Sequence, residues 1–184
     1  MDVASCVLRV GTMRLLKFLG FVSLITAVVL VVVLALGAAL PRAHVASATV
    51  VVPAPQARVW SMLVDTPTQP QWREGLVAVQ PLPSKDGHPC WLEMQKYGKM
   101  PLCEVASTPP SKRTVLIADP TLPFGGTWVY QLSPVGPDST QLTITENGTT
   151  GPLLWRFMGH YVFHEDTMIK QYQASLLKAV SAKP

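Results

Sequence analysis

Phe18 to Leu40 is a run of 23 residues without a charged side chain. At about 1.5 Å per residue it makes a helix of roughly 35 Å, enough to cross the ~30 Å hydrocarbon layer of a bilayer with some tilt. A segment so apolar must leave water, and its length suits a membrane better than the core of a small domain. The chain therefore divides into an N-terminal tail (1–17), a transmembrane helix (18–40) and a folded domain (44–184). About 140 residues are enough for one domain with its own core.

A cleaved leader is the rival reading, since Ala46-Ser47-Ala48 fits a small-residue cleavage pattern. The apolar run is longer than the 7–15 residues of a leader, and a cut after Ala48 would split the β-rich stretch His44–Val52. The flanking charge gives an orientation. Arg9, Arg14 and Lys17 precede the run, while Arg42 and Arg58 follow it. Positive charge stays in the cytoplasm, so the expected topology is single-pass, with the N-terminus cytoplasmic and the domain outside. Of the net charge of +4, the anchor and its flanks carry +3 and the domain +1. Four of the 15 basic residues and one of the 11 acidic ones precede His44, leaving 11 and 10 beyond it. A domain so nearly neutral has no electrostatic footprint for nucleic acid.

Beyond the span the pattern is a strand (44–52), a short helix opened by Pro55 (56–64), and a turn around Gln71-Trp72-Arg73. Six strands follow, at about 75–82, 89–96, 100–107, 113–119, 126–134 and 139–147, with turn residues between them. A long amphipathic helix runs from Leu154 to about Ala179. Strands joined by short loops are antiparallel. Seven of them with one apolar face need a cover, and the terminal helix is the element long enough to give it. Cys90 and Cys103 fall in consecutive strands. A turn at Tyr97-Gly98 puts Leu92 opposite Cys103, and a slip of two residues would pair the cysteines directly. A disulfide and two buried thiols both remain open.

Val50 to Trp60, followed by Leu63-Val64-Asp65 and Gln71-Trp72-Arg73, resembles the opening of the SRPBCC superfamily. That group holds polyketide cyclase/dehydrase and lipid-transport proteins, with START and birch-pollen-allergen relatives. Leu142 to Gly148 and Arg156 to Phe163, continuing to Ile169 and Tyr172, resemble its last strand and terminal helix. The likeness spans about 44–181. It implies an α+β helix-grip fold, a seven-stranded antiparallel sheet wrapped around a long C-terminal helix, with a pocket for a hydrophobic small molecule. It carries no set of catalytic residues. The terminal helix either runs straight through Phe163-His164 or kinks there, where the resembling proteins often have glycine and this sequence does not.

The candidate pocket wall is Leu92, Met94, Trp128, Tyr130, Phe157, Tyr161 and Met168. Alternation puts Trp128 and Tyr130 on one face of their strand, and Leu142, Ile144 and Glu146 on one face of the next. Glu146 continues an apolar alternation and needs a partner there. Arg73 is the expected one, the two forming either a buried pair that fixes the short helix onto the sheet or a polar end to the pocket. Glu165 falls either in the apolar stripe or, if the helix kinks, outward. His160 and His164 have the i, i+4 spacing of a metal pair, but a solvated face explains them better. No metal or cofactor is called for, and no nucleotide loop or catalytic triad is legible. The expected function is a membrane-anchored protein that binds a lipid or other hydrophobic small molecule. A cyclase/dehydrase-type enzyme and a structural module with a closed cavity are the alternatives.

Overall fold

A computed structural model of the chain describes residues 3–96, 98–164 and 166–182. Helix α1 (Val3–Ala39) contains Leu16–Ala39, the one helix among the described residues long and apolar enough to cross a membrane. Phe18, Phe21, Leu24, Val28 and Val31 on it are all more than half exposed. Strand β1 (Ala43–Val52) follows after three residues. Pro55 supplies a preset φ at the start of α2 (Gln56–Val64), which buries Val59 and Leu63. Prolines then force a 3₁₀ turn over Thr66–Gln71.

Six strands come next: β2 (Leu76–Lys85), β3 (His88–Gln95), β4 (Gly98–Thr108), β5 (Lys112–Ile117), β6 (Phe124–Gly136) and β7 (Ser139–Thr150). All seven form one antiparallel sheet in the order β1-β7-β6-β5-β4-β3-β2. The β2–β3 hairpin closes on Asp86-Gly87, both at positive φ (51° and 79°), which gives a two-residue loop the twist its strands need. Ala46–Ala48 pairs with Glu146–Ile144 inside β1, and Ala46 is buried.

The C-terminal helix is not continuous. Helix α3 (Leu153–Met158) passes into a π turn (Gly159–Phe163) and stops at His164, whose φ of 55° lies in the left-handed region that an α-helix cannot pass through. Helix α4 (Thr167–Ser181) then begins in a new direction. This corrects the single helix expected from Leu154 to Ala179. Glu165 lies outside the described residues. The i, i+4 spacing of His160 and His164 is no longer that of one α-helix; both are exposed, and Asp166 pairs with Lys170 at 2.5 Å.

Ile169, Tyr172, Leu176 and Val180 form the buried stripe of α4. They meet Val52, Leu132, Leu142 and Ile144 of the sheet, with Val59 and Leu63 of α2 completing the core. Burying each such aliphatic side chain stabilises the fold by about 1.5–3 kcal/mol. Gln173 pins α4 to the sheet by donating to the carbonyls of Ala48 (2.9 Å) and Leu142 (3.5 Å). One helix covers only the β1-β7-β6 side. The concave face of β3–β5 has its own small cluster of Trp91, Leu102 and Val115.

Cys90 sits directly opposite Cys103, two residues from the register expected for a tight turn at Tyr97-Gly98, and the two are joined in a disulfide. Tyr97 is outside the described residues.

Candidate functional site

The half of the concave face that α4 leaves uncovered is crossed by two buried ion pairs. Arg73, just after the 3₁₀ turn, places Nη1 2.5 Å from Oε1 of Glu93 on β3; Glu93 is 2% exposed and Arg73 14%. The same Nη1 donates to Oε1 of Gln69 at 3.3 Å, and the guanidinium lies 4.9 Å from the centre of the Tyr172 ring. Glu93 also accepts from Gln95 Nε2 (3.3 Å) and Trp91 Nε1 (3.5 Å). Arg113 on β5 donates from Nε to Glu104 at 2.6 Å and from Nη1 to the carbonyl of Leu63 at the end of α2. Its guanidinium lies 4.9 Å from the centre of the Trp91 ring. Trp91 thus bridges the two pairs through its indole N–H and its face.

Burial by itself would lower the pKa of Arg73. The Glu93 carboxylate, with the Tyr172 and Tyr130 hydroxyls, more than reverses this, so the guanidinium stands above its ordinary value and stays charged. Burial pushes the Tyr130 phenol up to about 12, against the pull of Arg73. Burial raises Tyr172 further still. Both phenols are therefore neutral hydroxyl donors at ordinary pH, and neither is a base.

Arg73 was expected to pair with Glu146, and the ion pair it makes is with Glu93. Glu146 does share the inner face: it stands opposite Trp128 in the register of β6 and β7, and its charge helps hold Tyr130 protonated. The parity of β3 is also reversed from the expectation. Trp91 and Glu93 face the cavity, so Leu92 and Met94 point to the other side, the side of the Cys90–Cys103 bridge. Phe157 and Tyr161 stack on each other with centroids 5.1 Å apart, away from the cavity wall, and Tyr161 is 51% exposed.

Trp128, Tyr130 and Met168 join Arg73 around the cavity. The space inside is about 30 Å³, close to the share of one water molecule in the liquid. A wider void was expected. Aromatic side chains fill it: Tyr172 lies 5.7 Å from Tyr130 and 5.6 Å from Trp72, and Trp128 lies 6.4 Å from Tyr130. The room lies outside them. A cleft of about 470 Å³ opens beside α4, walled by Arg73–Leu76, Gln95, Lys96, Trp128, Met168, Gln171 and Tyr172. It shares Arg73, Trp128, Met168 and Tyr172 with the inner cavity. The arrangement offers a trough of mixed lining, with Leu76, Trp128 and Met168 beside Glu74, Gln95, Lys96 and Gln171, and with the Arg73 guanidinium and the Tyr172 hydroxyl at its inner end.

Glu93, Arg113, Glu104, Trp91 and Gln69 were not anticipated. The available signal was the pairing of a tryptophan and an acid two apart in β3, which places both on one face.

No family model and no curated protein matches the chain. Solved structures do. A START superfamily protein from Mycobacterium smegmatis aligns at a TM-score of 0.60 and 19% identity, over 74% of this chain and 97% of that one. The Zhui aromatase/cyclase from Streptomyces sp. R1128 aligns at 0.63 and 15%, over 75% and 93%. A norcoclaurine synthase from Thalictrum aligns at 0.59 and 12%, over 75% and 94%. The fold is the helix-grip fold. At these identities the likeness concerns architecture alone. The helix-grip sheet also explains why the site lies where it does: the sheet is wider than the ~10 Å helix it grips, so one side of its concave face is left to side chains and ligand.

Proposed function

We propose that the protein is a single-pass membrane protein whose external helix-grip domain takes an apolar small molecule or lipid from the adjacent bilayer. One observation carries the reading: the 470 Å³ cleft adjoins the inner cavity, the two having Arg73, Trp128, Met168 and Tyr172 as a common wall. Pockets of about 300–1,000 Å³, mostly apolar with a few placed polar groups, suit drug-sized ligands. Arg73 supplies the fixed charge for a polar or anionic end. Met168, 52% exposed, forms a flexible lip. A helix-grip domain held at a bilayer sits where apolar molecules are concentrated. The domain carries a buried disulfide, which persists in oxidising compartments and supports a position outside the cytoplasm.

Binding is favoured over catalysis because the polar groups are committed to one another: Glu93 accepts from three side chains, and the two phenols hold their protons. A structural module draws support from the small inner cavity, and one experiment separates it from a binder. Wild-type protein in detergent should bind an apolar fluorescent probe, and Met168→Trp should abolish that binding while leaving the domain folded. Unchanged binding in the variant, or none in the wild type, would overturn the reading. Topology is checked separately. A reporter active only in the cytoplasm, fused after Pro184, should be silent; strong activity would reverse the orientation.

A further inference from the structure

The segment between Pro152 and His164 exposes a cluster of large apolar side chains, and the ligand cleft does not use it. Leu154 (49%), Trp155 (60%), Tyr161 (51%) and Val162 (50%) are all about half exposed or more. Four large apolar or aromatic side chains on eleven residues of α3 and the π turn are too clustered for ordinary surface. The segment contains no acidic residue.

Its location is fixed by α1. Gly37, two residues from the end of that helix, is buried against α3 so closely that a Cβ there would lie 2.2 Å from the carbonyl oxygen of Leu153. Arg156 Nη1 donates to the carbonyl of Leu40 at 3.0 Å, capping the outgoing chain, while Nη2 holds Gly151 at 2.9 Å. Helix α3 is thus clamped to the last turn of the apolar helix. If α1 spans a bilayer, its last turn lies where hydrocarbon gives way to headgroups, and α3 lies there with it. Tryptophan and tyrosine prefer that layer, and a short helix with an apolar face and no acidic charge binds along it.

We propose that α3 and the π turn form a second membrane contact, lying in the headgroup region of the same leaflet from which α1 emerges. The partner is the lipid surface itself. The contact holds the domain against the bilayer with α4 and Met168, four residues past the break, at the cleft entrance. This rests on α1 being a membrane span, and the test separates the two claims.

Full-length protein with Cys6→Ser, its disulfide intact, is labelled with a small environment-sensitive fluorophore at one introduced cysteine. It is then reconstituted into vesicles of phosphatidylcholine and phosphatidylglycerol containing lipids that quench at known depths. The sites are Leu24→Cys in the span, Leu154→Cys and Val162→Cys in the proposed contact, and Val135→Cys as reference. Val135 lies eleven residues along β6 from Phe124, roughly 35 Å at about 3.3 Å per residue, toward the opposite end of the sheet. Quenching at Leu24 by mid-chain quenchers and at Leu154 and Val162 by headgroup-level quenchers, several-fold above Val135, supports the proposal. Quenching at Leu24 with Leu154 and Val162 no different from Val135 overturns it while sparing the anchor. An unquenched Leu24 label removes the anchor and the proposal together.

Discussion

The Arg73–Glu93 pair gives the sharpest quantitative expectation. Removing one member of a buried pair costs about 3–5 kcal/mol, because the survivor stays buried without its counter-charge. Arg73→Met leaves Glu93, at 2% exposure, with only the longer contacts from Gln95 (3.3 Å) and Trp91 (3.5 Å). Its cost should sit in that range, at about 3 kcal/mol. Glu93→Gln is milder, about 2 kcal/mol, because Arg73 retains Gln69 and a partly open edge. In the double variant neither charge is stranded, so the loss should be about 3 kcal/mol rather than 5, a coupling of about 2 kcal/mol. The assay is urea unfolding of the full chain in a mild detergent, followed by tryptophan fluorescence, with m-values compared to confirm a common transition. Additivity within about 0.5 kcal/mol would show that the pair does not contribute as a pair. The same cycle between Arg73 and Glu146 should give a smaller coupling, and a larger one would restore the pairing read from sequence.

Alkaline pH should unfold the domain through its buried phenols. A folded-state pKa raised above the unfolded one gives stability that is complete below about pH 10 and is lost as pH rises; for Tyr130, near 12, the loss is about 3 kcal/mol across that window. Urea midpoints should hold from pH 8 to about 10 and fall above it, and Tyr130→Phe should reduce the fall; a slope unchanged by Tyr130→Phe would assign it elsewhere. Reducing Cys90–Cys103, which closes a loop of sequence separation 13, should lower stability by about 3 kcal/mol. A melting temperature that does not move with a phosphine reductant would show that the bridge is dispensable.

The strands were legible because turn chemistry punctuates them: Asp86-Gly87 needs two positive φ values, and Pro55 opens a helix wherever it stands. The long apolar helix was legible from composition alone. The site was less so, for two physical reasons. Cys90-Trp91-Leu92 is three apolar residues in a row, and β3 has buried side chains on both faces, so alternation does not tell inside from outside. Placing Leu92 and Met94 in the pocket wall then set the parity one residue off. Glu93 is inward only because an arginine twenty residues earlier turns back over the sheet, a contact made by the tertiary fold and invisible to local periodicity. The cavity was overestimated for the related reason that four aromatic rings from three separate segments, Trp72, Trp128 with Tyr130, and Tyr172, converge on it. His164 marks the opposite case: the resemblance offered a kink there as one alternative, and the backbone turns at a positive φ without glycine.

The join between α1 and the sheet has a mechanical consequence. Only Leu40, Pro41 and Arg42 separate helix from strand, and each side of that step is fastened: the Leu40 carbonyl by Arg156, the Arg42 carbonyl by the amide of Thr150 at 2.8 Å. A domain on a long tether sweeps a hemisphere and meets partners at a distance. This one has almost no reach. Any tilt of the helix becomes a tilt of the whole sheet, so under the proposed anchoring a change in lipid order or thickness that tilted the helix would swing the cleft with it.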